Sequence, residues 1–131
     1  MKIDIDSFTK DYKNKKIVVI GDIILDTYVL GNINRISQEA PVPIVSMQNK
    51  DFKPGGAANV AINLSNLGAS VTLVGVSGFD SNHIKLIETL NNHKNIKTRI
   101  IQCDDRPTTV KTRIIADNRQ LLRLDDEIIK P

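Results

Sequence analysis

The chain has 131 residues, a formal net charge of +3 and a hydrophobic fraction of 40%, enough for one domain with its own core and too apolar for a disordered tract. With no basic block, two Tyr, three Phe and no Trp, it lacks the stacking surface of a nucleic-acid binder, and its mild positive charge favours small anionic ligands. The lone Cys103 excludes an internal disulfide and a cysteine metal cluster, as suits a reducing compartment.

The N-terminal MKIDIDSFTKDY carries acids and no apolar h-region, and no later run reaches membrane-spanning length. The expectation is a cytoplasmic protein with no membrane partner. Residues 5–14, IDSFTKDYKN, read as a short helix capped by Asp6 or Ser7. KKIVVIGD then forms a continuous apolar run ending in Gly-Asp, as expected of a strand buried on both faces. The following segment has short β-type runs, Thr27 to Leu30 and Val42 to Met47, broken by Gly31, Pro41 and Pro43. These read as exposed or edge strands.

KPGGAANVAINLSNLG opens a helix with two glycines and a run of small residues, and Gly68 stops it. ASVTLVGVSG is a second buried strand. DSNHIKLIETLNNHKN is an amphipathic helix capped by Asp80 or Ser81, with Ile84, Ile87 and Leu90 or Leu86 inward. Strand, helix, strand, helix points to an α/β fold with a parallel sheet flanked by helices. TRIIQCDD, RPTTVKTRIIA and RQLLRLDD then read as β-rich, the last two joined by an Asp117-Asn118 hairpin turn. The closing DDEIIKP suggests the start of another helix and a chain that is cut rather than finished.

Several residues stand out chemically. Gly55 and Gly56 bare the backbone at a helix start, whose first N–H groups have no internal partner, and Asn59 adds an amide in the first turn. A tight turn beneath a helix would explain one glycine, not two. Asp26 follows the first strand, where ligands of parallel sheets bind, although a loop aspartate capping nearby N–H groups has the same spacing. Lys111 and Arg113 share one strand face and suit a phosphate clamp, but alternating charge is also normal on a solvated strand. Arg123 falls on the next strand, its face depending on register. Asp22 reads as structural or peripheral, His83 and His93 as surface residues, and Asp125, Asp126 and Glu127 as acids entering a helix, not as metal ligands.

With these residues placed, GGAANVA, Gly68, Gly78 and the upstream IGDIILD together resemble the N-terminal signature of the ribokinase/PfkB carbohydrate kinases. The resemblance covers essentially the whole chain. Within the family GDIILDTYVLGNINRISQEAPVPIV and RPTTVKTRIIADNRQLLRLDDE are most similar to D-glycero-β-D-manno-heptose-7-phosphate kinases. It implies a ribokinase-like fold whose lid strands lie within about residues 26–50 and 107–124. It implies that Asp26, Gly55, Gly56 and Asn59 hold a sugar, that Lys111 and Arg113 hold its phosphate, and that Arg35, Glu39 and Arg123 reach the substrate.

Such kinases use ATP and Mg2+, and they draw the nucleotide site and catalytic aspartate from a Gly-x-Gly-Asp motif that does not occur here. Residues 1–131 are therefore expected to be the sugar-binding half, without a catalytic residue or a tightly bound cofactor, and without the adenylyltransferase domain fused to many such kinases. Another sugar phosphate, such as a fructose or tagatose phosphate, fits the same signature. A lid-mediated homodimerisation module is a third reading.

Overall fold

The computed structural model describes residues 10, 12, 13 and 15–129. The helix expected over residues 5–14, with its Asp6 or Ser7 cap, lies almost wholly outside them. Nine elements follow in the order β1 (Lys16–Ile20), β2 (Ile23–Ile36), β3 (Pro43–Gly56), α1 (Ala57–Asn66), β4 (Ser70–Gly78), α2 (Ser81–Leu90), β5 (Ile96–Cys103), β6 (Thr109–Ala116) and β7 (Arg119–Asp126).

They build two sheets. A three-stranded parallel sheet, β1-β4-β5, forms the base, and a four-stranded mixed sheet, β3-β2-β6-β7, stands beside it. The core lies between them and the two helices. Ile23 and Leu25 of β2 meet Val71 and Leu73 of β4, Leu86 and Leu90 of α2, and Val110 of β6. Burying each such side chain stabilises by about 1.5–3 kcal/mol. Ala58 and Ala61, fully buried, bring α1 against this core, because a methyl group lets the helix backbone come close. Gly68 ends α1 with φ of 97°, a left-handed conformation that only glycine adopts cheaply.

Several expectations change. β1 is not buried on both faces: Ile17 and Val19 pack on the core, whereas Val18 and Ile20 are 61% and 76% exposed. The two short β-type runs are parts of one long hairpin of β2 and β3. β2 is a central strand, between β3 and β6, and its first residues belong to the core. A strand can carry Gly31 there because the ladder continues past a register shift at that point. In α2 the buried residues are Leu86 and Leu90, and Ile84 faces out. β5 completes the base sheet in parallel with β4. No helix starts after β7 among the described residues, since 127–129 carry no regular structure.

Two local expectations hold in detail. Asp80 caps α2 by accepting hydrogen bonds from the N–H groups of Asn82 and His83. Asp117 and Asn118, with φ of 50° and 61°, make the tight turn between β6 and β7. Positive φ at both turn residues matches the twist of the two strands.

Candidate functional site

Alternation along β2 sends Ile23, Leu25 and Thr27 to the core and Ile24, Asp26 and Tyr28 to the opposite face. Register carries that face across the mixed sheet. Asp26 lies beside Lys53 of β3 and Lys111 of β6, and Lys111 lies opposite Asp125 of β7. The crosswise row Lys53, Asp26, Lys111, Asp125 thus alternates in charge. In the neighbouring row Tyr28 lies beside Arg113, and Arg113 stands directly opposite Arg123. Facing cations repel, and each arginine turns to a carboxylate of the first row.

Arg113 Nη1 donates to Asp26 Oδ1 at 2.6 Å. Arg123 grips Asp125 through Nε at 2.9 Å and Nη2 at 3.1 Å. Lys111 Nζ donates to Asp125 Oδ2 at 3.0 Å and to Glu127 Oε2 at 3.1 Å. These contacts tune the charges. Hydrogen bonds to Asp125 and Glu127 raise the Lys111 pKa against a smaller effect of burial, and Asp26 raises that of Arg113. The hydrogen bond from Lys111, followed by that from Arg123, holds the Asp125 carboxyl below the ordinary carboxylate value.

Gly55 pairs with Ile24, one step from Asp26 on the same face. A Cβ there would run into the Asp26 carboxylate. Gly56 has φ of 55°, and a Cβ on it would strike the Asp22 carbonyl oxygen. Each glycine therefore answers a close approach within the chain. The Asp22 main-chain carbonyl accepts from the first N–H of α1, Ala57, at 2.9 Å. Gly56 caps α1 with no side chain on the helix end, and Asn59 is exposed in the first turn, at the end of the sheet that carries Gly55 and Asp26.

A cavity of about 330 Å³ opens on this side, lined by Asp22, Ile24, Arg106, Thr109, Lys111, Glu127, Ile128 and Ile129. A second hollow, about 520 Å³, shares Arg106 and Ile128 with it.

The structure thus brings Asp26, Gly55, Lys111, Arg113 and Arg123 onto one face. Arg35 and Glu39 stand elsewhere. Arg35 is exposed near the far end of β2, roughly 30 Å along the strand from Asp26 at about 3.3 Å per residue. Glu39 lies exposed in the connecting loop, its N–H donating to Ser37 Oγ. Sequence reasoning missed Lys53, Tyr28 and Arg106. The Tyr28 ring has Lys53 Nζ 5.2 Å and Arg113 Cζ 5.4 Å from its centroid. Only the register of the β2–β3 hairpin puts Lys53 next to Asp26.

Two further expectations are corrected. Asp125 belongs to β7 and pairs with Lys111 and Arg123, so it does not serve a helix end. His83 is only part-exposed, its Nδ1 2.7 Å from the Oγ of buried Ser77. Among the described residues no group of three or more His, Cys, Asp or Glu is placed to hold a metal ion, and no helix is long and apolar enough to cross a membrane.

Residues 14–128 match the model of the pfkB family carbohydrate kinases. The chain is 49% identical over 116 residues to the bifunctional protein HldE of Coxiella burnetii, covering 88% of this chain and 24% of that protein. It is 44% identical over 117 residues to the protein of the same name from Vibrio vulnificus, covering 89% and 24%. It therefore spans about a quarter of the length of these relatives. Among solved structures it is similar to a carbohydrate kinase from Agrobacterium tumefaciens, with a TM-score of 0.70, 26% identity and coverage of 86% of this chain and 35% of that one. A fructokinase from Halothermothrix orenii matches with a TM-score of 0.59 and 28% identity over 84% and 37%.

Proposed function

Because the chain belongs to the pfkB family of carbohydrate kinases, with a ribokinase-like fold, we propose that it is the substrate-binding portion of a heptose 7-phosphate kinase. The complete enzyme would transfer the γ-phosphate of ATP to the anomeric hydroxyl of D-glycero-D-manno-heptose 7-phosphate, in the synthesis of ADP-heptose for lipopolysaccharide. The observation that carries this reading is the face shared by Asp26, Lys111, Arg113 and Arg123. One carboxylate beside Gly55 accepts hydrogen bonds from vicinal hydroxyls, and the cations of the next strands, Lys111 and Arg113 on β6 and Arg123 on β7, suit the phosphate at the other end of a sugar phosphate.

Each residue has a defined task. Asp26 orients the sugar, and Asn59 offers a donor and an acceptor to its hydroxyls. Gly55 keeps the Asp26 carboxylate in place by leaving it room. Lys111, Arg113 and Arg123 neutralise the phosphate, with the arginines supplying bidentate forks. ATP and Mg2+ serve the complete enzyme and supply the phosphoryl group and its charge neutralisation. No Gly-x-Gly-Asp motif occurs in these residues, so the chain by itself is proposed to bind sugar without turnover.

The test is calorimetric titration of the chain with heptose 7-phosphate, unphosphorylated heptose and fructose 6-phosphate. Saturable binding of the heptose phosphate, tighter than both others and lost in Asp26→Ala, is the expected result. Tighter binding of fructose 6-phosphate would move the chain to another substrate in the family. No binding of any sugar by the folded chain would sink the reading.

A homodimer through the mixed sheet is a second proposal. β3 and β7 are its edges, and Met47, Leu122 and Leu124 are exposed on them. Light scattering across a dilution series tests it: a mass that stays monomeric at high concentration refutes pairing.

A further inference from the structure

The cations of the mixed sheet already hold an anion. Lys111, Arg113 and Arg123 are paired with Asp26, Asp125 and Glu127 in contacts of 2.6 to 3.1 Å, Lys111 reaching two acids and Asp125 two cations. Asp125 is the centre of this set: one of its oxygens takes both Lys111 Nζ and Arg123 Nη2, and the other takes Arg123 Nε. That is how a phosphate oxygen pair would be held by a lysine and a bidentate arginine. Glu127 adds a second carboxylate to Lys111 from the irregular segment after β7, in the lining of the 330 Å³ cavity.

Resting on the sugar-phosphate reading, we infer that Asp125, helped by Glu127, is a resident counter-anion that a substrate phosphate must displace. Two facing arginines on adjacent strands are unfavourable by themselves, so the empty sheet needs a carboxylate near them. With that carboxylate present, a singly charged or neutral sugar gains nothing from the clamp. A dianionic phosphate outbids one carboxylate for the same donors, so the pair of acids sets a threshold of charge for entry. Asp125 is thereby a specificity-determining residue, and its own strand partner Lys111 is what it releases.

The experiment titrates inorganic phosphate and heptose 7-phosphate into the chain and three charge-matched variants. Removing one charge a few ångströms from the phosphate is expected to tighten phosphate binding about tenfold in Asp125→Asn and about threefold in Glu127→Gln. Asp126→Asn makes the same charge change on the opposite face of β7, opposite Val110, and is expected to change nothing. Unphosphorylated heptose is expected to bind all variants alike. Circular dichroism confirms the fold of each, and Glu127→Gln, lying beyond the strand, carries the test if Asp125→Asn is unstable. No gain in either variant, or an equal gain in Asp126→Asn, overturns the inference. Sugar phosphate binding with equal affinity everywhere would sink the counter-anion and leave the proposed function standing. A phosphate gain without sugar binding by any variant would do the reverse.

Discussion

Arg113 reaches across the mixed sheet to Asp26, 87 positions earlier in the chain, with Nη1 2.6 Å from Oδ1. Their side chains are 23% and 19% exposed, so neither charge is fully hydrated. The pair ties β6 to β2, orients the carboxylate proposed to meet the sugar, and relieves Arg113 of the repulsion from Arg123. Losing one partner leaves the other partly buried and unpaired. Arg113→Ala and Asp26→Ala are each expected to cost about 1–3 kcal/mol, and the double variant clearly less than their sum. Urea unfolding of the four proteins measures this, and strict additivity would show that the contact contributes nothing.

Gly55→Ala places a methyl group against the Asp26 carboxylate. The strand backbone on either side is held by pairing with Ile24 and so gives little. A loss of about 1–3 kcal/mol is expected, with partial recovery when Asp26→Ser removes the obstructing group. Thermal melts of the single and double variants check it. Recovery absent from the double variant would place the strain elsewhere.

Asp80 joins the two sheets at the start of α2. Besides capping that helix, it accepts from the Thr108 N–H at 2.8 Å and from the Thr108 hydroxyl at 2.8 Å. Burial works to raise its pKa, but the hydrogen bonds from Thr108, His83 and Asn82 outweigh it and hold the group below its usual value of 3.8. A depressed folded pKa means stability that is present above that usual value and lost as pH falls through the folded one. Asp80→Asn is therefore expected to be less stable than the parent at neutral pH, by about 1–2 kcal/mol, with the gap closing in acid. Denaturation curves from pH 7 to pH 2 follow the gap, and a constant difference would refute the linkage.

The turn between β6 and β7 holds Asn118 at φ of 61°. Glycine takes that conformation at no steric cost, so Asn118→Gly is expected to match or exceed the parent by a few tenths of a kcal/mol. A β-branched residue is strained there, and Asn118→Val is expected to lose about 1–2 kcal/mol. Both are read from melting temperatures, where the reverse order would contradict the turn geometry.

Val18, Ile20 and Ile101 are exposed on one face of the base sheet, pairing with Thr72, Val74 and Val76 of β4 respectively. Since Ile20 is largely in solvent, Ile20→Lys is expected to change stability by no more than about 0.5 kcal/mol while lowering the binding of a hydrophobic dye. A large loss of stability would mean that Ile20 is covered in solution.

The strands, helices and tight turn of this protein were legible where local chemistry dominates. Asp80 has its cap position, Gly68 its left-handed stop and Asp117-Asn118 its turn, because each is decided by residues within a few positions. The family signature was legible too, since GGAANVA and IGDIILD are contiguous. Burial was harder to read. The apolar run of β1 says that the strand is apolar, not which neighbour covers each side. In α2, both the Ile84 and Leu86 faces fit the same period.

Pairing decided what local pattern left open. Which face of β7 carries Arg123, whether Asp125 meets a helix or a lysine, and that Lys53 borders Asp26 all depend on register between strands distant in sequence. A one-residue slip would reverse every one of those faces. The sequence by itself determined the family, the element types and the residues with charge or conformational freedom to form a site. Only the tertiary structure decided which charges neutralise one another, because a strand's alternation specifies two faces and only its neighbours choose between them.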